Sequence, residues 1–257
     1  MQYGMYLAAS SVSANMARQD VIANNLANVS TVGFKPDALD LRFRQSARAE
    51  DHVPQLPSNL LLERLGGGVL PMATRVDASQ GPLQATSNPL DVAIEGDGFF
   101  VTRSGPGGDE AVRLTRDGRL TIRADGTLVT ASGGYPLLSS SGSPVTVNPK
   151  LGQPIEIRPD GSVVQGGTEV GRFQVASVAD ASRLQKDGDN LLRTGGQEIT
   201  ESQAQIRQGH VELSGVDAIR AMMGVTNASN AAQSGLGMIS YYSDMMSRAI
   251  QALGRVS

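Results

Sequence analysis

The sequence predicts an α+β protein whose N- and C-terminal helices pair as a coiled-coil-like element, with a central antiparallel β-rich domain between them in sequence. Apolar residues recur at helical spacing at both ends, whereas the middle has short Val, Ile and Leu runs separated by Asp-Gly pairs. Residues 1–34 hold 2 charged side chains, residues 211–257 hold 6, and the other 39 lie between them. A solvated middle is therefore expected between two weakly charged helical ends.

The N-terminal helix has an apolar surface wider than one partner helix needs. Its predicted a/d seam has Asn15 and Gln19 as polar members, and its apolar members are Met5, Ala8, Val12, Ile22, Leu26 and Val29. A second apolar stripe comprises Met1, Met5, Ala9, Val12 and Met16. Two interpretations follow equally from this pattern: a helix packed in the core of its own monomer, or a helix contacted by other molecules.

The N-terminal helix is predicted to end within Ser30 to Gly33. Val29, Thr31 and Val32 are β-branched and stiff in a helix, and Gly33 can take the left-handed conformation of a helix C-terminus.

The C-terminal helix is predicted to carry a matching seam. Its members are Leu236, Ile239, Ser243, Met246, Ile250 and Leu253, which we expect to pack against the N-terminal seam. The stretch Gly224 to Gly237 reads GVTNASNAAQSGLG, and each of its three glycines costs roughly 1 kcal/mol in a helix interior. Either the helix is interrupted there, or a neighbouring element packs unusually close.

The middle of the chain is predicted to form hairpins and other tight connections. Asp-Gly pairs begin at Asp97, Asp117, Asp125, Asp160 and Asp187. Leu120 to Ile122 and Thr127 to Val129 flank one pair and predict a hairpin. The spacing between the pairs fits neither an EF-hand nor a nonapeptide calcium repeat, so these residues are interpreted as turns.

Four regions are predicted: an N-terminal helix (1–34), an extended arm or linker (35–86), a β-rich domain (87–210) and a C-terminal helix (211–257). The arm has a Pro-bounded stretch, three consecutive glycines and a short helix expected at Asn59 to Leu65.

Composition disfavours several functional classes. The net charge of -3 and a pI near 5.4 argue against a nucleic-acid-binding protein, and the absence of cysteine excludes disulfides and thiolate metal sites. Neither a cleavable secretory signal nor a membrane-spanning apolar run is present in the sequence, which by itself indicates a cytoplasmic protein.

Catalytic chemistry has little support. His52 and His210 lie in segments with no accompanying nucleophile motif, and Glu95 with Asp97 fits a turn better than a pair of catalytic carboxylates. The sequence predicts no enzyme activity, no catalytic residue, no cofactor and no metal site.

The segment Ala23 to Lys35 reads ANNLANVSTVGFK. It resembles the N-terminal motif of the bacterial flagellar axial proteins, the rod and hook subunits. Blocks similar to the rod subclass follow in family order: SNPLDVAIEGDGFF (87–100), RLTRDGRLTIRADGTLVTASGGYPLL (113–138), PIEIRPDGSVV (154–164), VGRFQVASV (170–178) and GDNLL (188–192). Of the proximal and distal rod types, VGRFQVASV and the short β region favour the proximal.

This resemblance implies a structural subunit of the basal-body rod, the drive shaft that joins the motor to the hook in flagellum-dependent motility. Its implied partners are further copies of itself, other rod and hook axial subunits, and the flagellar type III export apparatus, which would carry it to the basal body without a cleaved signal. The terminal helices would pack into a tube and order only on assembly, leaving residues 1–30 and 225–257 unprotected in the monomer. The predicted assembly interface comprises Met5, Val12, Ile22, Leu26, Val29, Leu236, Ile239, Met246, Ile250 and Leu253.

Three alternatives remain open: a monomeric β-rich cell-envelope binding module, a hook-type axial subunit and a hydrolase acting on the cell wall. The first predicts a monomer with stable terminal helices at every protein concentration. The third requires Glu95, Asp97 or a histidine to act in chemistry.

Overall fold

The computed structural model describes residues 2–45, 66–105 and 112–254. Within these ranges the chain forms two α-helices, α1 (Gln2–Ala27) and α2 (Ala218–Gly254), and seventeen β-strands. The strands are β1 (Asp37–Phe43), β2 (Val69–Val76), β3 (Leu83–Ala85), β4 (Val92–Glu95), β5 (Phe99–Arg103), β6 (Val112–Thr115), β7 (Leu120–Ile122), β8 (Leu128–Thr130), β9 (Ile155–Ile157), β10 (Ser162–Gln165), β11 (Thr168–Arg172), β12 (Val175–Val178), β13 (Gln185–Lys186), β14 (Leu191–Arg193), β15 (Ile199–Glu201), β16 (Gln205–Gln208) and β17 (His210–Glu212). The predicted α+β class is confirmed.

The chain divides into two compact units. The helical unit contains Met1–Leu26, Asp37–Thr74 and Ala218–Ser257, and the β unit contains Ala27–Pro36 and Arg75–Asp217. The helical unit holds α1 through Leu26, α2, β1 and most of β2, and the other strands belong to the β unit. No helix among the described residues is long and apolar enough to cross a membrane.

Helix α1 ends about one turn earlier than predicted. Its last helical residue is Ala27, and residues 28–33 form turns in which the amide of Thr31 donates to the carbonyl of Asn28 over 3.1 Å. Gly33 has a φ of +71°, and its amide donates to the carbonyl of Glu212. The chain therefore leaves the helix at Asn28, because its backbone finds partners in a turn and then in the β unit.

Strand β5 lies at the centre of the β unit. It belongs to an antiparallel six-stranded sheet with the order β13-β14-β6-β5-β12-β15. Phe99 and Phe100 are neighbours in this strand, so their side chains point to opposite faces, and each is buried in a different apolar cluster. The ring of Phe100 lies edge-on to that of Phe173, with centroids 6.1 Å apart. Burial on both faces explains the uninterrupted apolar run in this strand.

Smaller sheets complete the β unit. A three-stranded antiparallel sheet has the order β11-β10-β9, and three strand pairs join β16 with β4, β17 with β3 and β7 with β8.

The Asp-Gly pairs lie between strands, as predicted for all five. The predicted hairpin at Asp125 is confirmed, since Ile122 in β7 faces Leu128 in β8 in an antiparallel register. An oxygen of Asp125 accepts from the amide of Thr127 over 2.9 Å, and Gly126 takes a φ of +86°. This Asx turn is the reason why Asp-Gly suits the position.

The region predicted as an arm contains regular structure where it is described. β1 and β2 form a two-stranded sheet in the helical unit. The amide of Arg44 donates to the carbonyl of Gly68 over 2.9 Å where β1 ends and β2 is about to begin. The short helix expected at Asn59 to Leu65 lies outside the described residues.

Candidate assembly interface

Helices α1 and α2 pack against each other in opposite directions. A β-carbon added at Gly235 would lie 2.5 Å from Cγ2 of Val12, and one added at Gly224 would lie 3.0 Å from Cδ1 of Ile22. The later residue of α2 therefore contacts the earlier residue of α1, so the two helices are antiparallel. A side chain at Gly235 would collide with the partner helix, and one at Gly224 would be crowded by the end of the Ile22 side chain.

Helix α2 is continuous through the glycine-containing stretch. Of the two possibilities that the sequence left open, the structure has an unbroken helix whose partner packs closely at Gly224 and Gly235. Gly237 differs, because a β-carbon there would meet open space. The helical cost of the first two glycines is thus offset by close interhelical contact.

The seam of α2 consists mainly of small residues. Those facing inward recur at three- and four-residue spacing: Ala221, Ala228, Ala232 and Gly235 are buried, and Gly224, Ile239, Tyr242 and Met246 are half-buried. Leu236 and Ile250 are 54% and 65% exposed. The predicted intramolecular seam was therefore wrong at Leu236 and Ile250 and at Ser243, which is also exposed. Glycine and alanine allow the backbones to approach closely, so these three side chains remain outside.

Helix α1 also packs against the start of β1. The side-chain amide of Asn25 donates to the carbonyl of Asp37 over 2.8 Å, and its side-chain oxygen accepts from the amide of Asp37 over 2.9 Å. Asn25 is only 8% exposed. Sequence reasoning counted this residue only as a source of polarity. The stretch ANNLANV has three Asn residues, and the sequence does not show which of them makes a buried polar contact.

The structure separates the residues predicted for assembly into three groups. Val12 is buried, Met5, Leu236 and Ile250 are exposed, and Ile22, Leu26, Val29, Ile239 and Met246 are half-buried. Val29 follows the end of α1 and belongs to the β unit. The side chain of Leu253 lies outside the described part of the chain. No single intramolecular seam brings all ten together, and their intermolecular role stays a prediction.

Exposed apolar side chains are concentrated in the helical unit. Among the described residues, 17 large hydrophobic side chains are exposed, and 15 of them lie on α1, α2, β1 or β2. The eight on α2 are Ile219, Met222, Met223, Leu236, Met238, Tyr241, Met245 and Ile250. Only Leu151 and Val170 represent the β unit in this set. A monomer that leaves so many apolar groups in water on one unit is typical of a protein with an interaction surface there.

One groove runs along α1. It is lined by Ala9, Val12, Ser13, Met16, Ala17 and Asp20 of α1 and by Ile239 of α2, and has a volume of about 440 Å³. Apart from Asp20, its lining is uncharged.

A buried ion cluster joins the two ends of the β unit. Nζ of Lys35 donates to Oε1 of Glu212 over 2.7 Å, and Nη1 of Arg116 donates to Oε2 over 2.8 Å. The amide of Gly81 donates to Oε1 of the same carboxylate, and Nζ of Lys35 also donates to the carbonyl of Ser79. These three charged side chains are at most 3% exposed.

This ion cluster links the segment that follows α1 to the segment that precedes α2. Lys35 ends the segment that follows α1, and Glu212 precedes α2. Burial lowers the pKa of Lys35, and the Glu212 carboxylate opposes that shift. The carbonyl of Phe34 accepts from the amide of Gly215, which adds a backbone link between the same two segments.

The residues considered for catalysis have structural partners. Arg207 of the neighbouring strand β16 donates two hydrogen bonds to the Glu95 carboxylate: Nε donates to Oε2, and Nη2 donates to Oε1 over 2.9 Å. The carbonyl of Asp97 accepts from the hydroxyl of Ser202, and Nδ1 of His210 lies 2.9 Å from the carbonyl of Gln208. His52 lies outside the described residues. Within the described ranges no three His, Cys, Asp or Glu side chains are grouped to hold a metal ion.

Comparison with known proteins places the chain in a family. A model described as "Flagella basal body rod protein" matches residues 5–35, and one described as "Flagellar hook protein FlgE/F/G D1 domain" matches residues 93–165. The flagellar basal-body rod protein FlgF of Caulobacter vibrioides is 34% identical over 100% of both chains. This chain belongs to the flagellar basal-body rod protein family.

Other relatives support the same assignment. FlgF of Rhizobium meliloti is 31% identical over 99% of both chains. FlgG of Buchnera aphidicola subsp. Schizaphis graminum is 32% identical over 88% of this chain and 90% of its own length. The first matched segment, residues 5–35, covers most of α1 and the turns up to Lys35, and the second runs from β4 through β10.

Proposed function

We propose that this protein is a structural subunit that polymerises into the flagellar basal-body rod and contributes to flagellum-dependent motility. Full-length similarity to basal-body rod proteins provides the family. The observation that carries the assembly role is the concentration of exposed apolar side chains on the helical unit. Association would remove these groups from water, which is the dominant driving force for assembly.

The roles of the two units differ in this proposal. The helices form the axial element, with Met5, Leu236 and Ile250 available to neighbouring subunits because they are exposed. The β unit has its own two apolar clusters and would form an outer layer. Regions 1–34 and 211–257 would act as the axial helices, 35–86 as the arm and 87–210 as the β-rich domain.

The proposed partners are further copies of this protein and other axial subunits of the rod and hook. Export through the flagellar type III apparatus, without a cleaved signal, would deliver the chain to the basal body. The function requires no chemistry, and the pairing of Glu95 with Arg207 supports a structural role for that carboxylate. A monomeric binding module is disfavoured because its surface would leave the exposed groups of α2 without a role.

A deletion strain tests this function directly. Electron microscopy of its basal bodies should show a rod that is missing or stops short, and the full-length gene should restore both rod and motility. Replacing Glu95, Asp97, His52 and His210 by alanine should leave rod assembly and motility in place. Intact rods in the deletion strain would overturn the proposed function, and motility lost with normal assembly in the alanine variant would indicate chemistry.

A further inference from the structure

We propose that the groove along α1 receives helix α2 of a second copy of this protein, through a row formed by Met238, Tyr241, Met245 and Arg248. The inference rests on the rod assembly proposed above and names the contact between successive copies.

The groove is shaped for a helix. Its six α1 residues recur at three- and four-residue intervals from Ala9 to Asp20, so they share one face. Eleven residues separate its ends, a rise of about 16 Å. Its apolar lining and open side are those of a site that takes an amphipathic helix.

The row on α2 has the matching dimensions. Met238, Tyr241 and Met245 are 53%, 66% and 39% exposed, and Arg248 is also exposed. Their spacing places them on one face, and the ten residues from Met238 to Arg248 rise about 15 Å. Tyrosine is a common anchor of protein interfaces, since it supplies a large contact area and a polar tip.

Charge determines how the row would lie in the groove. Asp20 is the acidic group at the C-terminal end of the groove, and Arg248 is the basic group at the C-terminal end of the row. Neither has an ion-pair partner among the described residues. Bringing the two together makes the incoming helix parallel to α1 and places Met238 near Ala9.

A single copy cannot fill its own groove with this row. Ile239 lines the groove, and Tyr241 lies two residues later, roughly 160° away around the helix axis. Groove and row therefore occupy different sides of the helix pair. A contact between two different surfaces leaves a free groove and a free row on each pair of copies. It therefore propagates from copy to copy, into a ring where the rotation between copies closes and into an open helical filament where it does not.

Engineered disulfides test the contact, because the natural chain has no cysteine. The full-length variant with Met16→Cys and Met245→Cys should give disulfide-linked multimers in isolated rods after oxidation. A link within one copy is excluded by geometry: Tyr242 lies beside Gly4 in the antiparallel pair, far along α1 from Met16.

The matched control combines Met16→Cys with Met223→Cys. Met223 is 60% exposed on the same helix, but it lies 22 residues before Met245, about 33 Å along the axis. We expect no multimers from this variant. Equal linkage in both variants, or rods that contain the Met16→Cys and Met245→Cys protein without any link, would overturn the inference.

Charge reversal tests whether the partner is a second copy. Asp20→Arg and Arg248→Asp should each reduce rod incorporation several-fold, since two like charges then meet, and the double variant should recover it. Recovery requires both surfaces to come from this chain, so a double variant no better than the worse single variant would overturn the assignment. Absence of the unmodified protein from isolated rods would instead contradict the proposed function.

Discussion

At the scale of single residues, Glu212 compensates two buried cations. Its two carboxylate oxygens accept from Lys35 and Arg116, and all three side chains are almost fully buried. Two positive charges and one negative charge leave the ion cluster with a formal charge of +1. A buried charge that loses its partner is costly, so the substitutions of this cluster are expected to differ by the charge that remains.

Glu212→Gln should lower the free energy of unfolding by about 3–5 kcal/mol, because Lys35 and Arg116 then remain buried without a compensating carboxylate. Lys35→Met should cost less, since Glu212 and Arg116 remain as a neutral pair. Urea unfolding of the purified full-length variants measures both values. Equal costs for the two variants would contradict a charge-balance role.

Glu95→Gln is the matched control for Glu212→Gln. Glu95 also pairs with an arginine, Arg207, but the two side chains are 43% and 50% exposed. Water screens this pair, and its loss should cost less than about 1 kcal/mol. A similar loss in both variants would show that burial is not the cause of the larger effect.

Aspartates at the turns make stability depend on acid pH. Hydrogen bonds from Thr127, Ser162 and Ser182 lower the pKa of Asp125, Asp160 and Asp180, respectively, below the ordinary value of 3.8. The unfolded chain therefore takes up these protons first as the pH falls. The stabilisation is complete above pH 3.8 and is lost as the pH falls through the lower values of the folded state.

At mildly acidic pH these aspartates should leave the free energy of unfolding unchanged. Once the pH is below 3.8, their protonation in the unfolded chain should lower it. Urea titrations at a series of pH values measure it. Replacing Asp125, Asp160 and Asp180 by Asn keeps a side-chain acceptor but removes the titration, so the triple variant should have a shallower acid dependence. An unchanged dependence would exclude these turns as its origin.

At the scale of elements, the helix pair depends on glycine. Gly235 lies against Val12, whereas Gly237, two residues later in the same helix, faces open space. The same substitution at these two positions therefore separates helix propensity from interhelical packing.

Gly237→Ala should stabilise α2 by up to about 1 kcal/mol, because alanine is the better helix former. Gly235→Ala should destabilise the helix pair, since its β-carbon would lie 2.5 Å from Cγ2 of Val12. Rod incorporation and the helical signal in far-ultraviolet circular dichroism provide the readouts. Two substitutions with the same sign of effect would argue against the close packing.

At the scale of the whole molecule, the composition of the helix pair bears on when the helices order. Its fully buried α2 positions are Ala221, Ala228, Ala232 and Gly235, and small side chains bury little apolar area. Most large apolar groups of α2 are exposed instead. The pair should be marginal in an isolated copy and should gain stability when neighbouring copies cover those groups.

Hydrogen exchange of the purified monomer and of isolated rods tests this expectation. Amides of α1 and α2 should exchange rapidly in the monomer and slowly in the rod, while amides of the buried strands β4 and β5 should be protected in both. Firm protection of both helices in a dilute monomer would support the alternative of a self-contained binding module.

Local patterns were sufficient for much of the fold. The period of apolar residues predicts helices at the two ends, and Asp-Gly predicts the turn at Asp125, because both signals act over a few neighbouring residues. The end of α1 was missed by about one turn, since the exact end depends on the partners of Asn28 and Gly33. The residues of the assembly interface were harder to predict, because a wide apolar helix surface is compatible with several different packing seams.

By itself, the sequence determined the α+β class, the family resemblance and the weakly charged ends, because these depend on composition and on short-range order along the chain. Only the tertiary structure decided that Gly235 and its neighbouring alanines face α1 while Leu236 and Ile250 remain exposed. It also decided that Lys35 meets Glu212, 177 residues away. The physical reason is that close approach and charge compensation are properties of pairs distant in sequence, which no local pattern specifies.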